Sequence, residues 1–391
     1  MTQAVPITGL GCISAAGPDL EAGLASMFQG LRQPRPPQAF STGHALAYPV
    51  FEVPDFGPPT RLLRTGDLLL HAAREALADA GLDRDCLGAL RAGACIGTTV
   101  GSAMNDEDFC RALRAGATPP LAPMERILRS NPAALLARQF GLGGPCQTVV
   151  NACSSGTDAV GLGASWIQAG LCDLVLAGGA DQLSRITCNG FIAMGIAATS
   201  PCRPFDRDRD GLNLGEGAAV LVLESRELQR RRRARARAFV LGYGSACDAH
   251  HPTAPSPDGA GLGRAIQEAL AAGAIAPGQV AFVNAHGTAT PDNDRVESAV
   301  LAAALPGVPF LSTKGYTGHT LGAAGAIEAA FTVACLERGR VPACAGFTAA
   351  DPGLPAPVAE NRAVRGAVAL SQSLAFGGNN AVLALGLGER P

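Results

Sequence analysis

The strand and helix order of this chain is written twice. Val5 to Ser14 (VPITGLGCIS) is an apolar strand broken at Gly9 and Gly11, and Phe239 to Ala246 (FVLGYGSA) echoes it. The strand and loop at Ala94 to Thr99 return as Val280 to Thr288. The strand and small-residue helix around Cys153 return as Pro309 to Ile327. Leu174 to Gly179 is echoed by Ala367 to Gly378, and Ala218 to Glu224 by Ala381 to Leu387. The same order in both halves constrains the fold to an internally duplicated α/β unit. Its halves are read as residues 1–237 and 238–391. Alternating strands and helices predict mixed sheets, mostly parallel and covered by helices. Further helices are expected over Leu20 to Gly30, Arg64 to Ala80 and Pro132 to Phe140, and an irregular Pro-rich surface segment over Pro34 to Thr60.

Composition narrows the class. A chain of 391 residues that is 47% hydrophobic, 16% charged and contains 49 glycines fits an α/β enzyme with buried strands and tight turns. Its net charge of -2 argues against a general nucleic-acid binder. The twelve cysteines form no CxxC pair, so they read as reduced thiols rather than a disulfide scaffold or zinc site. Met1 to Gly11 lacks the basic start and long apolar core of a signal peptide, and no apolar run is long enough to span a bilayer. A soluble cytoplasmic protein is expected. The arginine run from Arg230 to Arg237 reads as a solvated helix face or linker.

The chemistry is concentrated at three turns. Thr148 to Ala159 (TVVNACSSGTDA) passes from a β-branched strand through small residues into a helix, with Cys153 at the turn. Free N–H groups and the helix dipole there favour a thiolate. Small neighbours admit a substrate carbonyl, and the Cys153 amide can contribute to an oxyanion hole. His286, in NAHGTATP, ends a buried strand; His319, in STKGYTGHTLGAAG, lies at a second strand-to-helix turn that the repeat sets opposite Cys153. Two of only six histidines at equivalent turns point to catalysis. His44, His71, His250 and His251 lack such settings and read as structural or surface residues.

NACSSG, NAHGTATPDND, STKGYTGHTLGAAGAIE and AFGGNN, in this order, resemble the β-ketoacyl-[acyl-carrier-protein] synthases of the elongating Cys-His-His class, similar to synthase II. The resemblance runs from Val5 to about Leu387. It implies the thiolase-like five-layered αβαβα fold, a homodimer or a heterodimer with a related subunit, and an acyl carrier protein as partner. It implies no metal or redox cofactor, the substrates being carried on phosphopantetheine. Cys153 would take the acyl chain as a thioester. His286 and His319 would bind the malonyl thioester carbonyl and assist its decarboxylation, and the carbanion would attack the acyl group on Cys153. The Cys153 and Phe376 amides would form the oxyanion hole. Lys314 and Glu328 match a charged pair near His319; Asp294 and Glu297 match acidic positions behind His286. Phe191 and Phe376 resemble gating phenylalanines, Thr288 and Thr290 (with Thr253 weaker) the hydroxyls that hold the pantetheine arm, and Val100 a residue lining the acyl tunnel. Carrier proteins are acidic, which makes Arg61, Arg64, Arg203, Arg207 and Arg209 candidates for docking.

Three departures stand out. Ala375 replaces the usual glycine of the gating loop and Asn379 the usual threonine, while Asn189 precedes the usual Gly190-Phe191. An Ala375 methyl group is expected to stiffen the loop. With the Pro-rich insert, these residues favour a specialised polyketide or polyene pathway over housekeeping fatty acid synthesis. The alternative, a non-catalytic subunit that sets chain length, would lack the active cysteine. A degradative thiolase would carry a second cysteine near Phe376 to Asn379, and a Cys-His-Asn starter synthase an asparagine at His319. A cysteine hydrolase would not need Lys314, His319 and Glu328.

Overall fold

The computed structural model describes residues 3–54, 62–101 and 106–388. Strands β1 (Val5–Ser14), β2 (Ala92–Gly97), β3 (Cys146–Val149), β4 (Leu174–Asp181) and β5 (Gly217–Glu224) come from the first half. The second supplies β6 (Ala238–Cys247), β7 (Val280–Asn284), β8 (Phe310–Leu311), a two-strand ladder of β9 (Arg340–Val341) with β10 (Arg362–Ala363), then β11 (Val368–Ala375) and β12 (Asn379–Gly386). Outside that ladder the strands are ordered β3-β2-β4-β5-β1-β6-β12-β11-β7-β8. Read from either end, the order meets the echoed strands in the same sequence. β1 and β6 join the two five-stranded sets through a short antiparallel contact, Val5 to Ile7 against Ala238 to Val240.

Helices α1 (Leu20–Phe28), α2 (Arg64–Asp79), α3 (Arg84–Gly88), α4 (Glu107–Arg114), α5 (Ala122–Arg129) and α6 (Pro132–Phe140) precede α7 (Ser155–Gln168), α8 (Arg185–Ala193) and α9 (Arg226–Arg232). Then come α10 (Ala260–Gly273), α11 (Pro291–Ala304), α12 (Lys314–Thr317) and α13 (Ala324–Arg338). α2 and α6 cover the outside of the first set of strands, and α10 the outside of the second. α7 and α13 lie between the sets and touch strands of both. Side chains alternate across a strand, so Ala94, Ile96, Leu174 and Leu176 pack outward beneath α2 and α6. Cys95, Val175, Ala177 and Leu221 pack inward towards α7. With both faces covered, every residue of β2, β4 and β5 is buried.

The central helices meet at glycines. A Cβ on Gly156 would come within 2.8 Å of the Ala326 nitrogen and the Gly322 carbonyl oxygen, and one on Gly325 within 1.9 Å of Thr157 Oγ1. Thr157 Oγ1 also meets Ser373 Oγ at 2.8 Å, tying α7 to β11.

The structure departs from the sequence reading in several places. Parallel pairing is confined to β3–β2–β4 and β8–β7–β11; every other pairing in the sheet is antiparallel. The sheet is therefore not mostly parallel, because β12 turns straight back from β11 and β5 runs against β4. The Pro-rich segment is not wholly at the surface: Val50, Phe51 and Val53 are buried, and Phe51 bonds across to the Leu214 carbonyl. In the arginine run, Arg232 pairs with Glu224 and Arg237 with Asp79 and Glu337, so part of it braces the core. α4, α5 and α8 were not anticipated. No helix of the described residues is long and apolar enough to cross a membrane.

Gly325→Ala is expected to lower unfolding stability by about 1–3 kcal/mol through overpacking. A fall in the urea midpoint measures it; an unchanged midpoint would mean α13 can shift freely.

Candidate active site

After β3 the chain tightens into a strained turn. Ala152 takes φ 48°, a conformation that non-glycine residues avoid. Its carbonyl is held by Thr99 Oγ1 at 2.9 Å and Ser155 Oγ at 2.6 Å. Cys153 follows at the mouth of α7 and is only 4% exposed. Burial pushes its thiol up to about 11, against the pull of the Lys314 charge and of the Phe376 amide at the sulfur. Burial thus opposes the thiolate that the helix N-terminus favours.

The histidines are fixed in one tautomer. The Leu321 amide donates to His319 Nδ1 at 3.3 Å, and Lys314 Nζ lies 3.1 Å from His286 Nδ1. An ammonium only donates, so Nδ1 accepts on both rings and each carries its proton on Nε2. Burial, then the Lys314 charge, hold both imidazoles well below the usual histidine range, and they are neutral near pH 7. The rings meet edge to face with centroids 5.2 Å apart. Lys314 Nζ also donates to the His286 carbonyl at 2.7 Å and pairs with Glu328, all of it buried. Lys314 is the only lysine in the sequence; every other basic side chain of the 31 is arginine. That singularity is a sequence signal for the site, since a compact ammonium fits where a guanidinium fork does not.

Carboxylates hold the loops behind these rings. Glu297 accepts from the His286 and Gly287 amides at 2.6 and 2.7 Å and from Gln372 Nε2 at 2.6 Å, while burial pushes its carboxyl up to about 7. Asp294 accepts from the Phe205 and Ala289 amides, and burial raises it as well. Asp181, which the sequence did not single out, accepts from Thr98 Oγ1, from the Thr99, Val100 and Gly101 amides and from Gly322 N. It thereby ties the loop after β2 to the turn behind His319.

Cys153, His286 and His319 line one cavity of about 160 Å³ with Phe191, Phe376, Thr288, Thr290 and Thr253. Thr288 and Thr290 hydroxyls meet at 2.8 Å. Phe191 and Phe376 stack 5.8 Å apart across it. Phe376 opens the β11–β12 turn, where Gly377 and Gly378 take φ 88° and 80°. The Ala375 backbone is paired with Asn379 in the ladder and is not in the left-handed region. The methyl group therefore meets no backbone strain at rest, and the positive-φ positions of the turn are glycines. Ile196, Leu212, Asp248, Leu374 and Asn380 are among the other residues of the wall and were not foreseen.

Residues 60–229 match the family profile described as "Beta-ketoacyl synthase, N-terminal domain" and residues 237–348 its C-terminal domain. A 3-oxoacyl-[acyl-carrier-protein] synthase 2 of Synechocystis sp. is 34% identical, covering 97% of each chain. The chain belongs to the β-ketoacyl synthase family. A chain of the ishigamide ketosynthase/chain length factor is 35% identical with a TM-score of 0.93 over 99% of each chain. AntDE:AntF, a type II PKS acyl-carrier protein in complex with its ketosynthase bound to the hexaketide, matches at 26% identity with a TM-score of 0.90, again over 99% of each. The fold is the thiolase-like one, and the protein is a ketosynthase acyltransferase.

Not every expected site residue of the synthase lies at the cavity. Val100 is buried with Leu212 and Leu321 in an apolar cluster against which Phe191 packs, one layer behind the wall. Arg61 lies outside the described residues. Arg64 is not a free docking cation: it grips Glu216 through Nε and Nη2 and donates to the Val53 carbonyl. Arg209 is likewise engaged, its side chain 5% exposed, paired with Asp351 and donating to the Pro291 carbonyl. Arg203 is half-buried against Gly346. Only Arg207 is exposed, with Asp208 3.6 Å away.

Lys314→Met strips Glu328 of its partner and is expected to lower stability by about 3–5 kcal/mol at pH 8. With the ammonium gone, only burial acts on Glu328, so its folded pKa lies above the unfolded value near 4.3. The folded state then holds a proton the unfolded state releases, and the deficit grows as pH rises and shrinks towards pH 5. Urea midpoints at the two pH values measure this; an equal deficit at both would mean Glu328 stays paired.

Proposed function

We propose that the synthase performs a decarboxylative Claisen condensation. Cys153, from residues 1–237, takes an acyl chain from a carrier protein as a thioester. His286 and His319, from residues 238–391, point two Nε2–H donors at the carbonyl of a malonyl thioester. The developing enolate collects negative charge on that oxygen, where two fixed neutral donors stabilise it. Carbon dioxide leaves, and the carbanion attacks the acyl carbonyl held between the Cys153 and Phe376 amides. Phe191 and Phe376 gate entry, and Thr288, Thr290 and Thr253 receive the pantetheine arm. The chemistry needs no metal or redox cofactor, since the carbanion comes from carbon dioxide loss and both substrates ride on phosphopantetheine. The observation that carries this reading is the single tautomer of both histidines in one cavity with Cys153.

A ketosynthase-like second subunit, a copy or a paralogue, is supported by an open sheet edge. Cys146 and Gln147 on β3 are exposed, Val150 is 68% exposed, and α4 and α5 bury none of their residues. Asn189, Asn379 and the Pro-rich insert favour a specialised polyketide or polyene chain, made in the cytoplasm. Offering carrier proteins loaded with short, long, saturated and polyunsaturated chains should add one acyl mass to the wild type and none to Cys153→Ala. No mass gain, alone or with a co-expressed paralogue, would sink the assignment. Release of carbon dioxide from malonyl-carrier protein separates it from a non-catalytic partner.

The carrier meets the synthase beside the cavity mouth, where Pro291 and Asp292 line both the cavity and a hollow of about 600 Å³ edged by Arg207 and Arg295. Arg207→Glu is expected to raise the KM for the carrier severalfold with little change in kcat, steady-state kinetics being the check. An unchanged KM would remove Arg207 from the docking surface.

A further inference from the structure

Asp158 sits on the first turn of α7, buried, and receives donors from both halves of the chain. Asn151 Nδ2 reaches its Oδ2 at 2.6 Å and Ser154 Oγ at 2.8 Å, while the Tyr243 hydroxyl reaches Oδ1 at 2.8 Å. Asn151 and Ser154 bracket Ala152 and Cys153, the strained residue and the nucleophile. Tyr243 comes from β6 in the other half. Its ring fits only because residue 161 is glycine: a Cβ there would come within 2.4 Å of the ring carbons.

A left-handed alanine costs about 1–3 kcal/mol and persists only where the surroundings over-determine it. Thr99 and Ser155 hold the Ala152 carbonyl, and Ser155 Oγ also accepts from the Asn151 amide at 2.8 Å, but neither holds the Asn151 or Ser154 side chain. Asp158 holds both of those side chains, one on each side of Ala152-Cys153, and Tyr243 occupies the oxygen that would otherwise let the carboxylate rotate away. We infer that Asp158 and Tyr243 are positioning residues that hold the Cys153 turn in its strained form for acyl transfer. This rests on the loading of Cys153 proposed above. In that step the Cys153 sulfur gives up its proton and bonds to the acyl carbon. The carbon–sulfur bond to the carrier breaks, and the proton ends on the released pantetheine thiol. The attacking sulfur must lie on line with that carbonyl, and a displacement of about 1 Å in such a geometry can cost a hundredfold in rate.

The test is the rate at which Cys153 of the full chain gains acyl mass from an acyl-carrier protein, with thermal unfolding recorded for every variant. Tyr243→Phe, Asp158→Asn and Gly161→Ala (which displaces the Tyr243 ring) are each expected to slow transfer about tenfold or more with KM unchanged. The double variant Tyr243→Phe/Asp158→Asn should be no slower than the slower single one, because both act through one contact. Variants that melt earlier yet load Cys153 at the wild-type rate would overturn the inference, and Asp158→Asn decides if another fails to fold. A wild type that never loads Cys153 would instead remove the proposed function.

Discussion

Two helix starts can share one small cavity only if their helices cross at backbone contact. In this synthase α7 begins just after Cys153, and α13 follows the turn that carries His319. They come together at Gly156 and Gly325, where a Cβ would strike backbone or a threonine hydroxyl, and a Cβ on Gly322 would strike the Thr98–Thr99 backbone of the loop after β2. Close packing leaves no slack at such a crossing. A single methyl group would separate the nucleophile from the histidine even though it touches neither. The duplicated sheets around this crossing are its scaffold: each delivers one helix from its own edge to the middle layer, so both halves are needed to make one site.

Charge in the site is arranged so that the reacting groups carry none at rest. Burial pushes the Cys153 thiol up and holds both imidazoles down, favouring the neutral form of all three. Behind them stand the Lys314–Glu328 pair and the buried carboxyl groups of Asp181, Asp294 and Glu297. Each of those meets a donor for a reason: Lys314 sets the tautomer of His286, Glu297 holds the His286 backbone, and Asp181 holds the turn behind His319. Arginine serves everywhere else in the chain, yet lysine is kept at this one buried position. Its point charge meets a ring nitrogen, a carbonyl and a carboxylate at once, which a planar guanidinium cannot do in the same space.

Much of this was legible in the sequence, and the physical reason differs from part to part. The repeated strand order and the Cys-His-His turns were visible because each is a local pattern: a β-branched run, small residues, then a helix. What stayed hidden depends on partners remote in sequence. Nothing local marks Asp158, whose partner Tyr243 lies 85 residues on. Asp181 gathers donors from the loop after β2 and from Gly322, 141 residues away. The same blindness made Arg64 and Arg209 look like free surface cations, although Glu216 and Asp351 consume them. Local reasoning also left out the burial of the thiol, since a helix N-terminus is visible in sequence and the depth of burial is not.

In the proposed condensation, a neutral, buried site has a consequence for the malonyl group itself. The carboxylate of that substrate must leave water to reach His286 and His319, and the rings there bear no positive charge to meet it. The nearest ammonium, on Lys314, is already committed to Glu328 on the far side of His286. An unpaired carboxylate in such a place is costly, whereas carbon dioxide is neutral and leaves without cost in solvation. The negative charge passes to the thioester oxygen, where the two Nε2–H donors wait. The cavity thus withholds stabilisation from the group that departs and offers it to the atom that receives the charge, which is the differential binding that lowers a barrier. Placing a cation in the wall would strengthen malonyl binding and weaken this difference, so the absence of charge on the two imidazoles is as much a part of the proposed mechanism as their position.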